Sequence, residues 1–342
     1  MRPTTKDLAK HAGVSRATVD RVLNERPGVH RKTIAAVNAA IKELGFERNL
    51  SAANLAKSRV YRFRFLLPRT GGEFLDVLIE QIRELRKAVR GDNIELDYRC
   101  VLDRDPHQVV RTLAPINLKK FDGVAIMAPE SPQVRDATHR LHERGVQVVQ
   151  LLSGQSGDRP FDVVGSDNRA AGATAARILG SFTKAISGRV MVVTDTMKSL
   201  DSAERRNGFD HTIQMRFPGL HALPTLETHG DDERTQQIIR RMVQTYDTLI
   251  GVYVMSSEAA ATLRVLSACC DPTKLTIVAH ERTPTTVELL QNDTVDALIV
   301  QNPGHVIRSA VRLLKARSDT RAPLQSQETI RIEILLQENL FG

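Results

Sequence analysis

The chain has 342 residues, enough for two or three compact units, and 41% of them are hydrophobic, as in a globular protein. It has no run of 18 apolar residues and no apolar stretch near its first residues, so we expect neither a membrane-spanning helix nor a secretory signal. Its cysteines lack metal-ligand spacing, so we expect no metal site, no cofactor and reduced thiols in a cytoplasmic protein: Cys100, Cys269 and Cys270.

The net charge of +8 is concentrated at the start of the chain. Residues 1–60 contain 12 Lys and Arg against 5 Asp and Glu, whereas the remaining residues are almost balanced. A basic head on a near-neutral body is typical of a protein in which one small domain neutralises phosphates. The distribution therefore favours a nucleic-acid partner for the head.

Residues 4–24 predict two short helices joined by a tight turn. Thr5 is a candidate N-cap of the first helix, Gly13 marks its end, and Ser15 can cap the second helix. Apolar residues recur at the spacing of a buried helical stripe: Leu8, Ala9, Ala12, Val14, Val19, Val22 and Leu23.

The outward face of the second helix carries Arg16, Ala17, Asp20 and Arg21. A guanidinium fork among small residues suits insertion into the major groove of DNA. A helical hairpin with an ordinary charged surface would show the same pattern, so the geometry alone leaves both interpretations open.

Two further helical segments follow in the head. A third helix is predicted over residues 32–44, ends at Gly45 and would close a three-helix core with Ile34, Val37, Ile41 and Leu44. Residues 48–59 could form a short helix capped by Ser51, with Leu55 in its middle, or could be a flexible linker.

The head resembles the LacI family of bacterial transcription regulators in three stretches, in the family's order and spacing: AGVSRATVDRVLN, PGVHRKTIAAVNAAIKELGF and RNLSAANLAKSR. The resemblance implies a helix-turn-helix DNA-binding domain over residues 1–47. It also implies a hinge helix over residues 48–59, which orders on operator DNA and inserts Leu55 into the minor groove.

The resemblance also assigns roles within the head. Arg16 and Arg21 would contact base edges, with Ala17 and Asp20 tuning them. Phosphate contacts would come from Thr5, Ser15, Thr18 and Lys32. Many relatives carry serine where this chain has Asp20, whose carboxylate could accept from cytosine or hold Arg16 or Arg21 in place.

From Tyr61 onward, predicted strands alternate with helices, which indicates an α/β body with parallel sheets. There are too many strands for one sheet, so we expect two doubly wound lobes with a ligand between them. The body resembles the family's effector domain, which is like a type I periplasmic sugar-binding protein.

That resemblance implies three crossings between the lobes, which we place near Arg159, Asp296 and Thr320. The effector-binding domain would span residues 60–342. Its N-lobe would hold residues 60–159 and 297–320, and its C-lobe residues 160–296 and 321–342.

Three polar residues match ligand-binding positions of the family. Arg205, in SAERRNGF, could fork to two hydroxyls or a carboxylate, or be a surface cation, while its neighbour Arg206 is expected to be solvated. Glu281, in VAHERTP, could bind vicinal hydroxyls or make a lobe-interface ion pair. Gln301, in ALIVQNPG, could reach the ligand or bridge the lobes.

Three further residues are weaker ligand candidates. Asp167 and Asn168, in VGSDNRAAG, match a motif that opens a helix, and we prefer a capping role for Asp167 with ligand contact second. Phe74 matches an aromatic that stacks on the sugar ring, and Ser153 ends a strand that could line the same cleft. The strand end GVYVMSS lacks an asparagine that relatives often carry, so the pocket could be less polar or use water.

The leading hypothesis is a sequence-specific regulator, most plainly a repressor, that binds a palindromic operator as a homodimer, with a tetramer left open. A sugar, polyol or sugar acid in the cleft would control it, and it would work in the cytoplasm at the nucleoid. The alternative is a transport-type sugar-binding protein without a DNA role, which the basic head argues against. An enzyme is disfavoured, because the chain has no G-x-S-x-G, P-loop, G-x-G-x-x-G after a strand, or H-E-x-x-H motif.

Overall fold

A computed structural model describes residues 3–23, 26–46, 59–69, 72–101, 105–155 and 161–340. The chain divides into two compact units, Met1–Arg59 and Val60–Gly342. No helix in these ranges is long and apolar enough to cross a lipid bilayer.

The first unit contains three helices, α1 (Thr5–His11), α2 (Arg16–Leu23) and α3 (Arg31–Leu44). As predicted, Gly13 and Gly45 adopt positive φ where α1 and α3 end. The Ser15 hydroxyl accepts from the Thr18 N–H at 3.1 Å, which confirms the predicted cap of α2.

The N-cap of α1 is Thr4 rather than the predicted Thr5. Thr4 Oγ1 accepts from the Asp7 N–H at 3.4 Å, and the Asp7 carboxylate accepts from the Thr4 N–H at 2.8 Å. A reciprocal capping box needs its acidic residue three positions after the N-cap. Asp7 stands in that position relative to Thr4 and not relative to Thr5.

The buried core of this unit is small and is formed by Leu8, Ala9, Val19, Val37 and Ala40. Ile34, predicted to join it, is instead 37% exposed. Its place in the first turn of α3 puts it at the rim of the bundle, whereas Val37, one turn later, is fully buried.

The N-lobe of the second unit is a five-stranded parallel sheet in the order β2-β1-β3-β4-β5. Its strands are β1 (Tyr61–Pro68), β2 (Ile94–Val101), β3 (Gly123–Ile126), β4 (Gln147–Leu151) and β5 (Asp162–Val164). Its helices are α4 (Gly72–Ala88), α5 (Pro106–Leu113), α6 (Pro132–Glu143) and α12 (Pro303–Ser318). A 3-10 turn, Val89–Asp92, follows α4.

The C-lobe is a second sheet in the order β12-β11-β10-β9-β6-β7, with β8 also pairing with β6. Its strands are β6 (Gly188–Thr194), β7 (Leu220–Ala222), β8 (Leu226–Glu227), β9 (Leu249–Val254), β10 (Thr276–His280), β11 (Ala297–Val300) and β12 (Glu333–Leu335). Among the strands that the structure describes, only β12 pairs antiparallel with its neighbour, β11.

The C-lobe helices are α7 (Asn168–Phe182), α8 (Leu200–Arg216), α9 (Asp232–Thr245), α10 (Ala259–Cys269) and α11 (Pro284–Gln291). A short helix, α13 (Gln325–Glu328), and the 3-10 turns Pro272–Lys274 and Gln337–Asn339 complete the described elements. The predicted α/β architecture with two parallel-sheet lobes is confirmed.

The three crossings between the lobes lie later in the chain than predicted. β5 still pairs with β4, so the first crossing follows Val164 rather than Arg159, which is outside the described residues. β11 pairs with β10 in the C-lobe, so the second crossing follows Val300 rather than Asp296. The lobe boundaries predicted at 159/160 and 296/297 are therefore corrected.

The third predicted crossing, near Thr320, is also too early. Arg312 of α12 forms an ion pair with Glu328 at 2.8 Å, and Ile330 is buried in the N-lobe core. Ile332 packs against the C-lobe core, so the chain crosses at Arg331. Side-chain contacts of Glu328 and Ile330 therefore keep the segment after α12 packed against the N-lobe.

Candidate functional site

The first candidate surface is the outward face of α2. Val19 is fully buried in the head core, while Arg16, Ala17, Asp20 and Arg21 are exposed. No hydrogen bond or ion pair joins the guanidinium of Arg16 or Arg21 to any residue that the structure describes. Both forks therefore keep their donors available for an outside acceptor.

Asp20 makes an ion pair on this face with Arg26, at 3.6 Å. The partner is a residue that follows α2, whereas the sequence suggested Arg16 or Arg21. Both side chains of the pair are 56% exposed, so it contributes little to stability, but it partly neutralises an acidic group that would face DNA phosphates.

The predicted phosphate contacts are distributed over the rest of the head. The hydroxyls of Ser15 and Thr18 lie 2.9 Å apart at the start of α2. Thr5 is half-buried in the first turn of α1, and Lys32 is exposed in the first turn of α3. Leu55 and the rest of the predicted hinge helix, up to Ser58, lie outside the described residues.

The second candidate site is a buried polar cluster in the C-lobe, where Arg205 of α8 is 4% exposed. Its Nε donates to Asn168 Oδ1 at 2.9 Å, and its Nη1 donates to the Met255 carbonyl at 2.6 Å. Its Nη2 lies 3.9 Å from Glu281 Oε1. The Met255 carbonyl, at the end of β9, is the acceptor at a strand end that lacks the family's asparagine.

Glu281 directly follows β10 and is 1% exposed, with φ of +65°. This backbone conformation is rare for a residue with a long side chain, and such positions cluster at functional sites. Its Oε1 accepts from Gln301 Nε2 at 2.9 Å, while its Oε2 is buried without a hydrogen-bond partner among the described residues. Burial raises the pKa of Glu281, and the Arg205 charge opposes that shift.

Gln301 links this cluster to two of the crossings. It follows β11 at the second crossing, and its Oε1 accepts from the Ser166 N–H of the first crossing at 3.1 Å. Asn168 makes a related connection, because its Nδ2 donates to the Leu152 carbonyl of the N-lobe at 3.3 Å. The polar cluster is therefore hydrogen-bonded to segments that connect the two lobes.

An aromatic wall supports the cluster inside the C-lobe. The Tyr253 ring stacks on Phe209 with centroids 4.6 Å apart, and the Tyr253 hydroxyl lies 2.9 Å from His280 Nε2. Burial, reinforced by the Arg205 charge, holds the pKa of His280 well below its ordinary value, so the ring is neutral near pH 7.

The other ligand candidates are placed differently. Asp167 is exposed and caps α7 by accepting from the Ala170 N–H at 2.9 Å, the role preferred from the sequence. Phe74 is 2% exposed within the N-lobe core, and Ser153 is half-buried after β4. The structure thus brings together Arg205, Glu281 and Gln301. Among the described residues, no hydrogen bond joins Asp167 or Ser153 to this group, and Phe74 lies in the core of the other lobe.

Two residues were judged wrongly or missed. Arg206, expected to be solvated, donates to Asp210 at 2.7 Å and to the Leu223 carbonyl at 2.9 Å. Asn168, which orients Arg205, was not among the predicted ligand residues. The only signal for it was its place directly after Asp167 in the motif that opens α7.

The sequence matches two family models, one for each unit. Residues 4–49 match the bacterial regulatory proteins of the lacI family, and residues 63–321 match a periplasmic binding protein domain. The HTH-type transcriptional regulator AglR of Rhizobium meliloti is 28% identical over 81% of this chain and 77% of its own length. The ribose operon repressor of Halalkalibacterium halodurans is 25% identical over 75% of this chain and 73% of its own length.

Solved structures share the fold of the second unit. GanP, a glucose-galactose binding protein from Geobacillus stearothermophilus, superposes with a TM-score of 0.73 at 17% identity. The match covers 83% of this chain and 100% of that one.

Proposed function

The chain belongs to the LacI family of bacterial transcription regulators, with a periplasmic-binding-protein domain as its body, and we propose that it is a ligand-controlled repressor of a palindromic operator. The observation that carries the proposal is the face of α2, where two arginines remain exposed without a described partner. The similarity in fold to sugar-binding proteins concerns the second unit alone. A sugar-binding protein of transport type would not need the basic helix-turn-helix head.

Base readout falls to Arg16 and Arg21, because a guanidinium can donate two hydrogen bonds to one guanine in the major groove. Ala17 leaves room for their approach, and Asp20, held by Arg26, disfavours acceptor-rich base edges nearby. Phosphate contacts come from Thr5, Ser15, Thr18 and Lys32. Leu55 enters the minor groove from the hinge segment and kinks the operator.

The protein acts as a homodimer. One helix-turn-helix head reads too few base pairs to select a site in a genome, and two heads related by a two-fold axis read a palindrome. It works in the cytoplasm, where the chromosome is accessible to it.

The effector is a small polyhydroxylated molecule that lies against the buried polar cluster. The unsatisfied Oε2 of Glu281 is the acceptor for a ligand hydroxyl, and Arg205 and Gln301 orient it. Arg205 already has a carboxylate partner in Glu281, so its charge is not free to neutralise a ligand carboxylate. We therefore expect the buried polar cluster to bind a neutral sugar or polyol better than a sugar acid.

Control follows from the position of the cluster at the crossings. A ligand that binds better when the lobes close shifts the protein toward the closed arrangement, which alters how the two hinge segments fold on DNA. By linkage, operator DNA must change the effector affinity by the same factor. Phe74, Ser153 and Asp167 complete the ligand surroundings as apolar wall, hydroxyl and helix cap.

The test is fluorescence anisotropy of labelled duplexes from the region upstream of the protein's own gene. The protein is titrated at two salt concentrations, with and without a panel of sugars, polyols and sugar acids. We expect Arg21→Ala to lose about 1–3 kcal/mol of operator affinity, roughly 5- to 150-fold, while the exposed-cation control Lys42→Ala changes it little. Equal binding of the wild type and Arg21→Ala to every duplex would contradict the proposal.

A further inference from the structure

The two lobes also meet at the first turns of α4 and α11. Glu73 lies in the first turn of α4 on the N-lobe, and Thr285 is the second residue of α11 on the C-lobe. The Thr285 N–H donates to Glu73 Oε2 at 2.9 Å, and the Thr285 hydroxyl donates to Oε1 at 2.5 Å. Arg264 of α10 adds a third donor, with its Nη2 at 3.4 Å from Oε1 and 2.8 Å from the Thr285 hydroxyl.

In this arrangement a backbone N–H at the N-terminus of α11 donates a hydrogen bond to the carboxylate of Glu73. Thr283 caps the helix by accepting from the Thr286 N–H at 3.3 Å, and Pro284 has no N–H to donate. The Thr285 N–H is consequently the unused donor at that end, and a carboxylate from the other lobe meets it, where the helix dipole also favours negative charge.

The pKa of Glu73 reflects how strongly these contacts stabilise its charged form. Burial alone would raise the pKa of Glu73, yet its hydrogen bonds with Thr285 outweigh this and lower the pKa below its ordinary value. The charged form is therefore the one that the contact stabilises, as expected for charge-assisted hydrogen bonds.

A second contact at the same edge shows how closely the lobes approach. A Cβ added to Gly72 would lie 1.9 Å from Glu258 Oε2, the N-cap residue of α10 on the C-lobe. Gly72 also has φ of +51°, which suits glycine. A larger residue at position 72 would have to displace the Glu258 side chain before the edges could meet.

We propose that Glu73, Thr285 and Arg264 form an interlobe clasp that holds the effector cleft closed through the protein's own contacts and thereby sets the effector affinity. The consequence for regulation rests on the proposed function. Because the apparent dissociation constant of a ligand that needs the closed form is inversely proportional to the closed fraction, weakening the clasp weakens effector binding in proportion.

The clasp is tested without DNA or effector, by single-molecule energy transfer across the mouth of the cleft in the full chain. Dyes are attached through Gln133→Cys on α6 and Glu233→Cys on α9, in a background with the native cysteines replaced by serine. Both positions are exposed, and they lie in the first turns of helices on opposite lobes.

We expect Glu73→Ala to raise the open-to-closed ratio about tenfold, because a charged acceptor of several hydrogen bonds is removed. Thr285→Val keeps the N–H donor, so its effect should be smaller, roughly two- to fivefold. The double variant should open no further than Glu73→Ala alone, since both changes break one contact.

The matched control is Glu80→Ala, which removes an exposed carboxylate of the same helix whose ion-pair partner, Arg83, is also in α4. Circular dichroism verifies that each variant is folded. Identical transfer distributions in the wild type, Glu73→Ala and Thr285→Val would overturn the clasp. Equal binding of the wild type and Arg21→Ala to every duplex in the anisotropy experiment would overturn the proposed function and leave this result unaffected, so the two failures are distinguishable.

Discussion

The head and the effector domain use the same side chain in opposite ways. In the head, Arg21 is exposed and its guanidinium meets no described residue. In the effector domain, Arg205 is 4% exposed and contacts an amide, a backbone carbonyl and a carboxylate. An arginine that reads DNA must keep its donors free until DNA arrives, whereas a buried arginine must have them satisfied in the folded protein.

Function and stability are therefore separable in the head and coupled in the effector domain. Removing a free guanidinium leaves nothing unsatisfied behind it, so the head should lose DNA affinity alone. Removing a buried guanidinium leaves its partners unsatisfied, so the effector domain should lose ligand binding and stability together.

The largest expected effect is that of Arg205→Ala on the effector domain. The change leaves Glu281 buried without its cation and deprives Asn168 and the Met255 carbonyl of their donor. We expect the free energy of unfolding, measured by urea denaturation of the full chain, to fall by about 3–5 kcal/mol.

Arg216→Ala is the matched control, because Arg216 is an exposed arginine of the same helix. Adding Glu281→Gln to Arg205→Ala should recover part of the loss, because the orphaned negative charge disappears. A fall of less than 1 kcal/mol for Arg205→Ala would remove the distinction between the two arginines.

The exposure of Arg16 and Arg21 on one face of α2 could be predicted from the sequence, whereas the neighbours of the buried Arg205 could not. The α2 face follows from helical periodicity within a few residues, and local spacing suffices for it. Arg205 and Arg206 are adjacent and chemically identical, and only the packing of α8 against α7 places Arg205 beside Asn168. Arg206 instead pairs with Asp210 four residues later in the same helix, a spacing that is visible in the sequence.

The lobe crossings show the same limit. The alternation of strands and helices was sufficient to predict two parallel-sheet lobes. Strand β11 could join either sheet on its pattern alone, and its pairing with β10 depends on residues that are distant in the sequence. Hydrophobic periodicity says that a strand is buried, but it does not say which sheet the strand joins.

A second prediction concerns acid, to which the buried wall of the effector domain should respond. His280 is neutral in the folded protein because burial and Arg205 depress its pKa, but it takes up a proton near pH 6.5 once unfolded. Between these two pKa values the unfolded state binds more protons, so stability falls as the pH decreases below about 6.5, by up to roughly 1.4 kcal/mol per pH unit.

Urea denaturation between pH 7 and pH 5 measures this slope. His280→Gln, which keeps an acceptor for the Tyr253 hydroxyl, should flatten it, while His211→Gln at an exposed position of α8 should not. An unchanged slope in His280→Gln would assign the acid sensitivity to other groups and weaken the contrast between the buried and exposed polar residues.

The smallest effect is expected in the head, where a cap rather than a charged cluster supports the fold. Five buried residues form the core of the head within its described residues, and the capping box of Thr4 and Asp7 adds to what holds α1 in place. Thr4→Ala should cost about 1 kcal/mol, seen as roughly fivefold faster amide exchange in α1 of the full chain.

Thr4→Ser, which keeps the hydroxyl, should exchange like the wild type, and so should Thr5→Ala, because Thr5 lies inside the helix and makes no cap. If Thr5→Ala instead accelerated exchange more than Thr4→Ala, the cap would lie one residue later, where the sequence alone placed it. The effector domain should keep its unfolding free energy in all three variants, because no side chain of its buried polar cluster is altered by changes in the head.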